Sequence, residues 1–85
     1  MELLDLLGRR WALRILWDLR DGPRTYGQLQ AEEISTSVLA TRLRELAAAN
    51  IVHREPSGAY TLTPQGRRLG ELLLPVNEWA RRWKR

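Results

Sequence analysis

The sequence predicts a mainly α-helical domain with one small β-hairpin. Three observations predict it. Apolar residues recur at three- and four-residue intervals in several separate stretches. Two short stretches, 51–54 and 59–62, flank a Pro56-Ser57-Gly58 turn. The chain is 85 residues long, with no repeat, low-complexity stretch or linker, so it fits a single domain, 1–85.

The elements follow in order. Residues 2–7 form a short apolar helix carrying Leu3, Leu4, Leu6 and Leu7, and Gly8 stops it. Residues 9–21 form a second helix, with Arg10, Arg14, Asp18 and Asp21 as its polar stripe. The rest of that helix is apolar, so it is expected at the centre of the fold. Gly22-Pro23 ends it.

Thr25 and Gln28 make a capping box for a short helix ending near Glu32. Ser35 is the natural N-cap of a helix over 36–49. Ile34 before the cap and Leu39 inside it form a hydrophobic staple. Leu39, Leu43 and Leu46 lie in one narrow arc and are the core stripe. The opposite arc holds Ser37, Thr41 and Arg44, with Thr36, Ala40 and Arg42 at its margins. Asn50 stands where a helix stops on a left-handed residue.

Residues 51–54 and 59–62 then pair as the hairpin. Thr63 followed by Pro64 starts the last helix, 64–84. Leu69, Leu72, Leu73, Val76, Trp79, Ala80 and Trp83 mark its apolar face, and Pro75 is expected to kink or split it.

Composition excludes several functions. There is no cysteine, hence no disulfide, thiolate metal site or thiol nucleophile in this chain. The single histidine cannot build a multi-histidine metal centre. No glycine-rich phosphate loop, nucleophile–base pair or metal cluster is visible, so no enzyme, no metal and no cofactor is expected. No apolar run is long enough to span a membrane, and Met1-Glu2-Leu3-Leu4-Asp5 lacks a basic signal region. The expected location is the cytoplasm. Net charge is +4, and thirteen of the fourteen basic residues are arginine. That surplus suits a polyanion.

A short helix, a tight turn, a capped helix with a small polar outer face and a hairpin with a basic strand end follow one another. This is the layout of a winged helix-turn-helix, with the helix-turn-helix at about 25–49 and the wing at 51–62. The second helix of the pair would enter the major groove of double-stranded DNA. Ser37 and Thr41 allow close approach there, Ala40 adds no bulk, and Arg42 and Arg44 can grip guanine or phosphate. The backbone N–H groups at Ser35, Thr36 and Ser37 make a phosphate seat. Arg54 at the wing base would touch backbone, and Ser57 and Gly58 form a tip small enough for a groove. His53 reads as a packing residue or a backbone-phosphate contact rather than a ligand, and the Glu32-Glu33 pair as solvated charge. Arg81, Arg82, Lys84 and Arg85 read as a solvated basic end.

A second class stays open on these features: a winged-helix protein-interaction module within a larger assembly, not binding DNA.

The residues also carry a family resemblance. Leu7-Gly8-Arg9-Arg10-Trp11-Ala12-Leu13-Arg14-Ile15-Leu16 resembles the opening of the HxlR-type winged helix-turn-helix transcriptional regulators. Asp21-Gly22-Pro23-Arg24-Thr25-Tyr26-Gly27-Gln28-Leu29 is similar to that family's entry into its helix-turn-helix. Ile34-Ser35, Val38-Leu39 and Arg42-Leu43-Arg44-Glu45-Leu46 resemble its recognition helix. Tyr60-Thr61-Leu62-Thr63-Pro64-Gln65-Gly66 is similar to its wing exit, a pattern shared with MarR-like proteins. Leu73-Leu74-Pro75-Val76 and Trp79 resemble its last helix.

The resemblance implies a sequence-specific regulator that binds DNA as a homodimer through its terminal helices. Leu3, Leu4, Leu7, Val76, Trp79 and Trp83 would form that interface, since they are more apolar surface than a core this small needs. Two departures stand out. The cysteine that many members use to sense oxidants is missing here. The wing is also shorter than usual, so a MarR-like, PadR-like or ArsR-like assignment stays open, and the effector is unknown.

Overall fold

The computed structural model describes residues 2–83. In chain order the elements are α1 (Glu2–Leu7), α2 (Ala12–Leu19), α3 (Tyr26–Leu29), α4 (Thr36–Ala48), β1 (Val52–Arg54), β2 (Tyr60–Leu62) and α5 (Pro64–Arg82). This is the mainly helical, one-hairpin architecture that the sequence predicts. Lys84 and Arg85, the end of the expected basic tail, lie outside the described residues.

The capping signals work as expected. Thr25 accepts from the Gln28 backbone while the Gln28 side chain accepts from Thr25, closing the box at α3. The Ser35 side chain accepts from the Val38 N–H at 3.2 Å. Thr63 Oγ1 accepts from the Gly66 N–H at 2.9 Å, with Pro64 in the first turn of α5. Asn50 adopts φ 61° just beyond α4, which lets the chain reverse into β1.

One core unites the elements. Ile15, Leu16 and Leu19 of α2 meet Leu29, Ile34 and the α4 leucines Leu39, Leu43 and Leu46, with Ile51, Val52 and Leu62 closing the hairpin side. Each such side chain contributes about 1.5–3 kcal/mol when fully buried. Among the described residues no polar or charged side chain is fully buried. α5 is fully buried only at Gly66, and α1 at no residue. Both lie on the periphery, with Leu6, Leu7, Leu69 and Leu73 packed against the core.

The strands pair antiparallel, with Val52 opposite Leu62, His53 opposite Thr61 and Arg54 opposite Tyr60. Arg24 adds a single bridge on the far edge: its N–H reaches the Tyr60 carbonyl at 2.9 Å and its carbonyl takes the Tyr60 N–H at 2.7 Å.

Two helix boundaries differ from expectation by more than a residue or two. The central helix spans Ala12–Leu19 rather than 9–21, because Trp11 sits at φ 77° and breaks the run. The short helix ends at Leu29, since Gln30 is extended, rather than near Glu32. The last helix, expected to kink or split at Pro75, runs unsplit from Pro64 to Arg82 with Pro75 inside it. Pro75 and Glu71 both face solvent, so water can satisfy the Glu71 carbonyl that loses its partner.

Candidate nucleic-acid interface

α3 and α4 form a tied pair. The Tyr26 hydroxyl donates to the Thr36 carbonyl, in the first turn of α4. The Gln30 amide donates to the carbonyls of Ala31 and Ile34, bracing the turn between the helices. With its leucines sunk in the core, α4 turns Thr36, Ser37, Arg44 and Ala47 to solvent. Ala40 and Thr41 are half-buried on the same side.

The outer side chains are arranged rather than loose. Arg44 Nη2 donates to Thr41 Oγ1 at 3.2 Å, which aims an exposed guanidinium along the helix. Ser35 and Ser37 place their hydroxyls 3.4 Å apart at the N-terminus. Ser35, Thr36 and Ser37 are all exposed there, at the positive end of the helix dipole.

Arg42 departs from expectation. Its side chain keeps only 17% exposure. Its Nε donates to the Arg10 carbonyl at 2.9 Å and its Nη1 to Glu45 at 3.0 Å. The cause is helical geometry: residue 42 is one step of about 100° round from Thr41, which carries it to the side facing the α1–α2 joint. It serves the fold rather than the outer face.

The hairpin continues this surface. Ala47 at the outer face of α4 lines one open groove of about 340 Å³ together with Asn50, His53, Arg54 and Thr61. Arg54 is exposed, with its guanidinium 5.8 Å from the Tyr60 ring opposite. The wing tip is a tight turn: Gly58 N–H donates to the Glu55 carbonyl at 2.8 Å, and Ser57 Oγ accepts from Ala59 N–H at 3.3 Å. Gly58 takes φ 95°, a conformation side chains rarely adopt. Pro56 and Ser57 project to solvent.

Sequence reading passed over Arg68. It is exposed and lines a shallow cavity of about 470 Å³ with Asn50, Thr63 and Gln65, beside the hairpin groove. The signal was the Arg67-Arg68 pair close to a helix N-terminus, where the dipole disfavours cations.

On α1 and the last helix, Leu3, Leu4, Val76 and Trp79, with Trp83 just beyond, are exposed, as the sequence led us to expect. Leu7 instead packs half-buried against the core. Leu13, Leu72 and Leu74 join the exposed set, with Leu72 the most open at 69%. Trp79 and Trp83 stack with ring centroids 6.3 Å apart. Leu13 and Trp17 of α2 and Leu73, Val76 and Ala80 of α5 line an open groove of about 360 Å³. Among the described residues there is no cluster able to hold a metal ion, and no helix is long and apolar enough to cross a membrane.

Known proteins share this arrangement. The HxlR-like helix-turn-helix family model matches residues 6–85. The HTH-type transcriptional regulator YodB of Bacillus subtilis is 35% identical over 84 residues, covering 89% of this chain and 75% of its own. YvaP of the same organism, also named an HTH-type transcriptional regulator, is 31% identical over 90 residues, covering 96% of this chain and 83% of its own. The crystal structure of quinone-bound YodB superposes with a TM-score of 0.87 at 34% identity, over 96% of this chain and 93% of that one. A MarR-family transcriptional regulator from Enterococcus faecalis superposes at 0.81 with 31% identity, over 92% of this chain and 78% of that one. The order of motifs, the hairpin behind a capped helix and the match across nearly the full length agree, and the chain belongs to the HxlR-like helix-turn-helix family of DNA-binding transcriptional regulators.

Proposed function

We propose that the chain regulates transcription by binding duplex DNA as a homodimer, with α4 in the major groove and the β1–β2 hairpin on the neighbouring backbone. One observation carries this. The outer face of α4 is solvent-facing, small, capped and furnished with an aimed arginine, and an open groove joins it to Arg54. Arg44 reads a base edge, guanine best of all. Ser37, Ala40 and Thr41 permit the close approach that this needs. Ser35 and Thr36 seat a phosphate on the helix N-terminus. Arg54, Ser57 and Gly58 hold the adjacent backbone.

The homodimer forms through α1 and α5. The exposed stripe Leu72, Val76, Trp79, Trp83 has the four–three–four spacing of a helix–helix seam, and Leu3 and Leu4 add to it. A two-fold axis there sets two α4 helices about 34 Å apart, one DNA turn. The chain acts in the cytoplasm and by binding rather than catalysis, in line with relatives that are regulators.

Selection of bound duplexes from a random pool tests the proposal. A two-fold repeat with half-sites about 10 base pairs apart is the expected result. Enrichment of a single half-site overturns the dimer. Weak retention on random duplex even at about 50 mM salt overturns DNA binding and favours a protein-interaction module.

A further inference from the structure

Behind the outer face of α4 lies a cluster that DNA does not touch in the arrangement above. Glu45 is one step inward from Arg44 and is partly buried. Its carboxylate takes Arg42 on one oxygen at 3.0 Å and Arg9, from just beyond α1, on the other. Arg42 in turn donates through Nε to the Arg10 carbonyl. That carbonyl belongs to the peptide leading into Trp11, a bulky residue held at φ 77°. Such a conformation is disfavoured in an L-residue and persists only where its surroundings impose it. The Arg10 and Arg14 guanidinium groups lie 5.0 and 5.7 Å from the Trp11 ring. One carboxylate thus connects α4, the segment after α1 and the strained joint before α2.

We propose that Glu45 is a positioning residue for sequence-selective DNA binding: it locks the pose of α4 against the α1–α2 joint and withholds the Arg9 and Arg42 guanidinium groups from phosphate. The inference rests on the placement of α4 in the groove and names what holds it there. Base reading needs the α4 backbone at a fixed angle, whereas phosphate attraction needs only positive charge. Releasing the lock therefore trades selectivity for nonspecific affinity.

The test uses the full chain with two probes, a duplex selected by the wild type from a random pool and an unselected duplex. Four proteins are compared: wild type, Glu45→Gln, Arg42→Gln and Glu71→Gln. Glu71 is exposed on α5, so its variant gains the same charge without opening the cluster. Glu45→Gln is expected to lower the ratio of selected to unselected affinity about tenfold, a size seen for residues that couple without touching ligand. It also steepens the salt dependence on unselected duplex by about one to two ion equivalents, one for each freed arginine that finds a phosphate. Arg42→Gln lowers the ratio without raising unselected affinity. The inference is overturned if Glu45→Gln matches Glu71→Gln, or if it raises affinity for both probes equally, which is charge alone. Full selectivity in Arg42→Gln also overturns it, and decides the matter if Glu45→Gln does not fold. A wild type with no preference between the probes is a different failure: it removes the reading of α4 itself.

Discussion

Gly66 and Ile51 touch backbone to backbone. A Cβ on Gly66 would stand 2.1 Å from the Ile51 carbonyl oxygen, and Gly66 is the one fully buried residue of α5. The same carbonyl accepts from the Thr63 N–H at 3.0 Å. The start of the last helix is therefore pressed onto the chain just before β1, and only hydrogen fits in the gap.

Gly66→Ala is expected to destabilise the protein by about 1–3 kcal/mol, the usual range for overpacking a rigid site. Gly70→Ala, one turn on, is expected to stabilise by about 0.5–1 kcal/mol through helix propensity. There the added methyl would lie at an ordinary 3.9 Å from Leu62. Urea denaturation midpoints distinguish the two; equal and small effects would contradict the close approach.

Thr63 joins both ends of the hairpin. Its hydroxyl lies 2.7 Å from the Asn50 carbonyl and accepts from the Gly66 N–H. Thr63→Ala should cost about 1–2 kcal/mol and Thr63→Ser much less, read by thermal unfolding. A harmless alanine would mean that the cap carries no weight.

Arg44→Ala and Arg54→Ala are expected to fail in different ways. Loss of Arg44 weakens binding by about 1–3 kcal/mol and relaxes preference at one position of the selected site. Loss of Arg54 weakens binding to every duplex alike and lowers the salt slope by about one. Binding titrations at several salt concentrations separate them. An Arg44→Ala protein with unchanged selectivity would turn α4 round in the groove.

Trp79→Ser removes a large apolar ring that is 64% exposed. Monomer stability should change by less than about 0.5 kcal/mol, as for surface substitutions in general. The homodimer should weaken strongly, which sedimentation at falling concentration would reveal. An unaltered assembly would take α5 out of the interface.

Local signals were readable in the sequence because they act within one turn of chain. Thr25 with Gln28, Ser35, Thr63 with Pro64 and Asn50 all mark boundaries that the fold keeps. The outer face of α4 was readable for the same reason, since helical periodicity assigns Leu39, Leu43 and Leu46 inward. Three features were not. Trp11 breaks its helix by a conformation that its side-chain type disfavours, and what surrounds it comes partly from distant chain. Arg42 lies at the edge of the outer arc, and its partner carbonyl is 32 residues away. Arg24 pairs with Tyr60 as a single residue, too short to leave an alternating pattern.

The Arg24 bridge has a consequence for the open edges of the hairpin. It covers one margin of β2, while β1 covers the other. What remains open is the outer margin of β1, three residues long and carrying His53 and Arg54. A strip that brief and that charged is a poor template for another chain to extend by backbone pairing. Ribbon stacking through that margin is thereby disfavoured.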